Sequence, residues 1–113
     1  MRLEGFSKLL AWAVFLSALS CSSADPPAPP QGCQDFIDIW CNKNAECRPP
    51  SDRARSVEDC EFTAKLEIDC SQTRALAPTY DSCLGDIEQS SCTAYVEGKG
   101  LPLPATCKGI LLR

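Results

Sequence analysis

The stretch Cys33-Gln34-Asp35-Phe36-Ile37-Asp38-Ile39-Trp40-Cys41-Asn42-Lys43-Asn44-Ala45-Glu46-Cys47 decides how the chain is read. Cys33, Phe36, Ile37, Trp40, Cys41 and Ala45 return at steps of three and four, the period that lines residues along one face of an α-helix. The same segment carries three cysteines, so a helix that offers an apolar stripe also offers crosslinking points. Asp35 suits the first turn, where a carboxylate faces the positive end of the helix dipole. Arg48-Pro49-Pro50 ends the helix. The stripe puts Trp40 in the core, beside Ile37 and Cys41, rather than at a contact surface.

Two more helices follow. The second is expected to start at Ser56, a hydroxyl cap with Asp59 three residues on, an approximate capping box. Val57, Cys60, Ala64 and Ile68 make one stripe and Phe62, Leu66 and Cys70 a second, so this helix is expected to meet neighbours on a broad front, fraying near Ser71-Gln72. The third begins after Thr79, carries Tyr80, Cys83, Leu84 and Ile87 on one side, and runs to Cys92 or Tyr95. Gly85 within it costs about 1 kcal/mol against alanine. Gly98-Lys99-Gly100 reads as a turn, and Leu101-Pro102-Leu103-Pro104 as extended chain leading to a short helical turn with Cys107. Period-two alternation is missing, so no strand is expected. The fold class is an all-α, small, disulfide-rich three-helix domain that follows a signal peptide and a Pro-rich tether.

Upstream, Arg2 and Lys8 precede an uncharged apolar run, Leu9 to Leu19, followed by small residues and prolines, the layout of a secretory signal. As a helix the run rises about 16 Å, half the hydrocarbon thickness of a bilayer, which is short for a permanent span. Residues 1–20 are read as the signal, of lipoprotein type with Cys21 lipidated, or alternatively cleaved as far as Ala24. Ala18-Leu19-Ser20-Cys21 resembles the bacterial lipoprotein signal, with Ala18 and Leu19 departing from its usual order. Residues 21–32 form the tether and residues 33–113 the stapled domain.

The chain has nine cysteines. Setting Cys21 aside leaves an even set, Cys33, Cys41, Cys47, Cys60, Cys70, Cys83, Cys92 and Cys107, that can pair completely in an oxidising compartment. Eight cysteines admit about a hundred pairings. Cys60 and Cys70 lie about 15 Å apart along a helix, Cys83 and Cys92 about 13.5 Å. These rises favour a rung Cys70 to Cys83, with Cys60 to Cys92 added if the third helix unwinds early. The apolar set Phe36, Ile37, Trp40, Leu66, Ile68, Leu84 and Ile87 is thin for a domain of this size, so crosslinks substitute for core.

Composition also excludes functions. There is no histidine, which removes Ser-His-Asp and Cys-His catalysis and imidazole zinc sites. No Cys-x-x-Cys pair exists, so neither a metal nor a cofactor is expected. The formal net charge is −4, which argues against nucleic acid as a partner. The expected role is a noncatalytic, exported binding or structural module facing an unknown protein or envelope component, with the bilayer as partner if Cys21 is acylated. It would sit on the outer membrane or face the periplasm as a lipoprotein, or else be secreted. The alternative is a secreted inhibitor or effector presenting a rigid basic loop, Arg48 to Arg55, with Arg53 and Arg55 as its contacts.

The spacings Cys33-x7-Cys41-x5-Cys47 and Cys60-x9-Cys70, then Cys83, Cys92 and the ending Leu103-Pro104-Ala105-Thr106-Cys107-Lys108-Gly109, resemble the cysteine-rich helical modules of predicted myxobacterial lipoproteins. The resemblance covers Cys33 to Ile110. It implies an exported, lipid-anchored, helical, disulfide-bonded protein and carries no functional residue with it.

Overall fold

The computed structural model describes residues 27–113; the expected signal, Cys21 and the start of the expected tether lie outside them. Helix α1 spans Pro29–Glu46. It starts four residues before Cys33, because Pro29 and Pro30 suit a first helical turn: their fixed φ matches the helix, and the N–H groups they lack have no partner there. Residues 29–32, expected in the tether, are therefore helical. Gly32 packs closely on Leu76: a Cβ there would stand 2.5 Å from a methyl of that side chain, which would have to shift. Cys33, Phe36, Ile37, Cys41 and Ala45 are buried, as the stripe predicts.

Helix α2 spans Arg53–Glu67 and follows a 3-10 turn, Pro50–Asp52. It begins before Ser56, which lies inside the helix instead of capping it. The proline-led turn runs straight into helical conformation, and Asp52 at the cap makes no side-chain capping bond. The end of α1 is closed across this connection, where Arg53 donates from Nε to the carbonyl of Arg48 at 3.2 Å and from Nη2 to that of Glu46 at 3.3 Å. No residue of α2 is buried. Cys60 and Ala64 pack on the core, but Phe62 and Leu66 are 68 % and 72 % exposed, so the expected second stripe faces solvent and Leu66 is not a core residue.

After Ile68 the chain is extended and makes a 3-10 turn, Cys70–Gln72, in which the Asp69 carboxylate accepts from the Ser71 N–H at 3.0 Å and hydroxyl at 2.6 Å. Strand β1, Ala75–Leu76, pairs antiparallel with β2, Leu111–Leu112, through Ala75 with Leu112 and Leu76 with Leu111. This two-residue ladder is too short to show alternation in sequence. It returns the C-terminus to the centre and buries Ile110. Helix α3, Tyr80–Gln89, lies between the two strands in the chain. It stops short of Cys92, which opens a separate 3-10 turn, Cys92–Ala94.

The core joins Phe36, Ile37, Tyr80, Ile87 and Ile110 to Cys33, Cys41, Cys83 and Cys107, so sulfur supplies four of its nine members. Trp40, Ile68 and Leu84 pack on it half-buried. The Tyr80 hydroxyl donates to the Gly32 carbonyl at 2.6 Å, tying the start of α3 to the start of α1.

Four disulfides close the domain: Cys33–Cys70, Cys41–Cys60, Cys47–Cys92 and Cys83–Cys107. The rungs Cys70 to Cys83 and Cys60 to Cys92 do not form. The connection from α1 to α2 is so short that α2 must double back along α1, bringing Cys60 to Cys41 and Cys70 to Cys33. Cys33 and Cys41 are about 12 Å apart along α1, a span matched by the end of α2 and the extended residues beyond it. Cys83 is then left for Cys107, carried to α3 on the 3-10 turn Ala105–Cys107. By the chain-entropy argument each bond contributes about 3–4 kcal/mol, less when loops overlap. This concentration of disulfides in a small domain belongs to an oxidising, extracellular type of environment. No helix among the described residues is long and apolar enough to cross a membrane.

Candidate functional site

One face of α1 forms the floor of an open groove. Phe36, Ile37, Trp40, Asn44 and Arg48 recur at helical spacing and line it from one end to the other. Phe36 to Asn44 rise about 12 Å along α1, and Arg48, two residues past the end of the helix, carries the floor beyond it. One wall is α2, through Ser56, Asp59, Thr63, Ala64 and Glu67. The other is the segment after α3, through Tyr95, Gly98, Lys99, Gly100 and Leu103. The groove volume is about 1020 Å³.

The second wall is held by Asn44. Its Oδ1 accepts from the Leu101 N–H at 2.8 Å, while its Nδ2 donates to the Trp40 carbonyl at 3.0 Å. Gly100 makes this approach possible: its φ is +81°, and a Cβ would stand 2.6 Å from Asn44 Oδ1. Val96 and Gly100 bridge one another, closing the turn through Gly98.

The groove changes character along its length. Its apolar lining is Phe36, Ile37, Trp40, Ala64, Ile68 and Leu103. At the Arg48 end the guanidinium stands 3.5 Å from Asp52 and 3.6 Å from Glu97. The Tyr95 hydroxyl, and then those carboxylates, push the Arg48 pKa up, deeper into its charged form. Arg55 stands 4.0 Å from Asp59 on the rim, both largely exposed. Charges of both signs therefore edge the polar end.

Trp40 is both a support of the core and the centre of the groove floor, so the expectation of a purely internal role covers only half of it. The basic loop Arg48 to Arg55 is not a free presenting loop. Arg48 pairs with two carboxylates and Arg53, though exposed, donates to the carbonyls of Arg48 and Glu46, whereas Arg55 meets only Asp59 at 4.0 Å. Cys21 lies outside the described residues. Sequence reasoning missed Tyr95, Lys99 and Gly100: the glycines signal a turn, but nothing local says that the turn docks on Asn44.

Ser56, Thr63 and Tyr95 supply hydroxyls with no imidazole to activate them, the chain having no histidine. Among the described residues no group of three His, Cys, Asp or Glu side chains is placed to hold a metal ion. No protein-family model, curated protein or solved structure matches the chain.

Proposed function

We propose that the protein is a noncatalytic, exported binding module whose groove receives an extended segment of a protein partner, and that Cys21 anchors it to the membrane. The observation that carries the reading is Trp40, half-buried on the floor of a groove whose walls are braced by disulfides. Large aromatics on rigid frames are the usual anchors of protein interfaces. The floor length suits about four or five residues of extended chain at roughly 3.3 Å each. Mixed rim charges suit peptide polar groups better than a polyanion, and the net negative charge of the chain points the same way. A fixed frame also lowers the ordering cost of binding. The signal-type run, the even set of eight cysteines and the resemblance to myxobacterial lipoproteins support the anchor.

The test is selection of random linear peptides on the exported, oxidised protein, followed by titration of the enriched sequences against Trp40→Ala. Peptides that share an apolar residue and lose at least tenfold in affinity on Trp40→Ala are the expected result. Failure to enrich any, or enrichment insensitive to Trp40, overturns the groove as the seat. Intact mass of the protein from its native cell tests the anchor: acyl mass on an N-terminal Cys21 is expected, and a chain starting at Asp25 refutes it.

A further inference from the structure

The four disulfides are unequally shielded. Cys83 and Cys107 are both at most 4 % exposed, and in two further bonds Cys33 and Cys41, equally buried, join half-buried Cys70 and Cys60, so no end of these three bonds is exposed. The fourth joins half-buried Cys47 to exposed Cys92, and neither end is buried. Exchange requires a thiolate to reach one of the two sulfurs, so access decides which bond reacts first.

The position of that bond gives its cleavage a defined effect. The segment from Ser90 to Gly100, which carries most of the second groove wall, contains no member of the core. It is fixed to α1 on either side, where Lys43 Nζ donates to the Glu88 carbonyl at 2.9 Å and Asn44 accepts from Leu101. Between those points it is held to α1 by Cys47–Cys92 and by Arg48. The Arg48 contact is with Tyr95 and with Glu97, whose side chain is 88 % exposed, and exposed pairs hold weakly.

We propose that Cys47–Cys92 is a reducible clasp on the groove wall, opened by an extracytoplasmic dithiol while the other three bonds stay closed. One thiolate of the dithiol attacks Cys92 Sγ; the disulfide breaks, and Cys47 leaves as a thiolate and takes up a proton. The second thiol then attacks its partner sulfur in the mixed disulfide, releasing Cys92 as a thiol and closing the reductant into its own disulfide. Two electrons pass from the dithiol to the protein. Segment 90–100 is then retained at its ends and by the weak Arg48 contact, and the groove loses its fixed width. The clasp stands on shielding and placement, independently of what the groove binds.

The experiment treats the oxidised, folded protein with graded dithiothreitol at neutral pH, alkylates the free thiols, and reads each cysteine by peptide mass spectrometry. Labelling of Cys47 and Cys92 at least tenfold faster than any other pair is expected, together with faster amide exchange in 92–100 and unchanged exchange in 33–45 and 80–89. Simultaneous opening of all four bonds, earlier opening of another, or unchanged exchange in 92–100 after labelling overturns the proposal. The Cys47→Ser/Cys92→Ser double variant should keep the other three bonds and reproduce the loosened segment. Loss of protection in 80–89 of that variant would make the bond a structural one and also overturn the clasp.

Discussion

Helices α2 and α3 are bonded into the same domain, yet they hold their places by different means. α3 inserts Tyr80, Cys83 and Ile87 into the core. α2 has no fully buried residue, rests on the core through half-buried Cys60 and Ala64, exposes Phe62 and Leu66, and is tied to α1 through Cys41–Cys60, with Cys33–Cys70 just beyond its end. One helix is kept by burial and the other by sulfur, so the two should respond differently to the same insult.

The largest effect should come from the buried side. Ile87 is fully buried, and Ile87→Ala should cost about 3–4 kcal/mol, read as a fall in denaturation midpoint across the whole domain. A loss under about 1 kcal/mol would put α3 in the same class as α2. Next comes the double change Cys41→Ser/Cys60→Ser, expected to cost about 2–3 kcal/mol. Amide exchange should then rise first in α2 while α3 keeps its protection; equal loss in both would erase the distinction.

Tyr80 gives a smaller and pH-dependent test. Burial, followed by the nearby charges of Asp35 and Asp81, pushes its phenol pKa up. The folded state thus keeps this proton after an unfolded chain has lost it, and stability is full below about pH 10 and declines as pH rises through the raised value. Tyr80→Phe should cost about 1 kcal/mol at neutral pH, through the lost hydrogen bond to the Gly32 carbonyl, and should flatten the alkaline decline. Leu66→Ala should change stability by less than about 0.5 kcal/mol, since the side chain is exposed. Smallest of all is the turn at Ser71. The hydroxyl and N–H of Ser71 pull the Asp69 pKa down. Its contribution is present above the ordinary carboxylate range and is lost as pH falls through the lowered value, and amide exchange at Ser71 should report that loss.

The contrast also separates what could be read from sequence from what could not. The stripes of α1 and α3 were legible because a helix that buries one face must repeat its apolar residues at its own period. α2 misled the same reasoning. Phe62 and Leu66 have a buried residue's chemistry and spacing, but the direction in which α2 faces is set by the short turn and by Cys41, not by its own pattern. Ile110 and the β1–β2 ladder were illegible because a two-residue pairing leaves no local signature. The groove was half legible: Trp40 was visible as an aromatic on a stripe, but its opposite wall depends on Asn44 meeting Gly100, a contact 56 positions apart along the chain. The cysteine inventory was readable, and the pairing was not, since it follows from how the helices reverse.

That pairing bears on how the protein matures. Counted from the N-terminal side of the domain, the cysteines join first to fifth, second to fourth, third to seventh and sixth to eighth. None bonds with its immediate successor. A chain oxidised as it emerges therefore captures mistaken neighbours first, and Cys33, Cys41 and Cys47 all wait for partners not yet delivered. Reaching the native linkage calls for reshuffling by an isomerase as well as an oxidant, and yield in any host will follow its capacity to undo bonds rather than to make them.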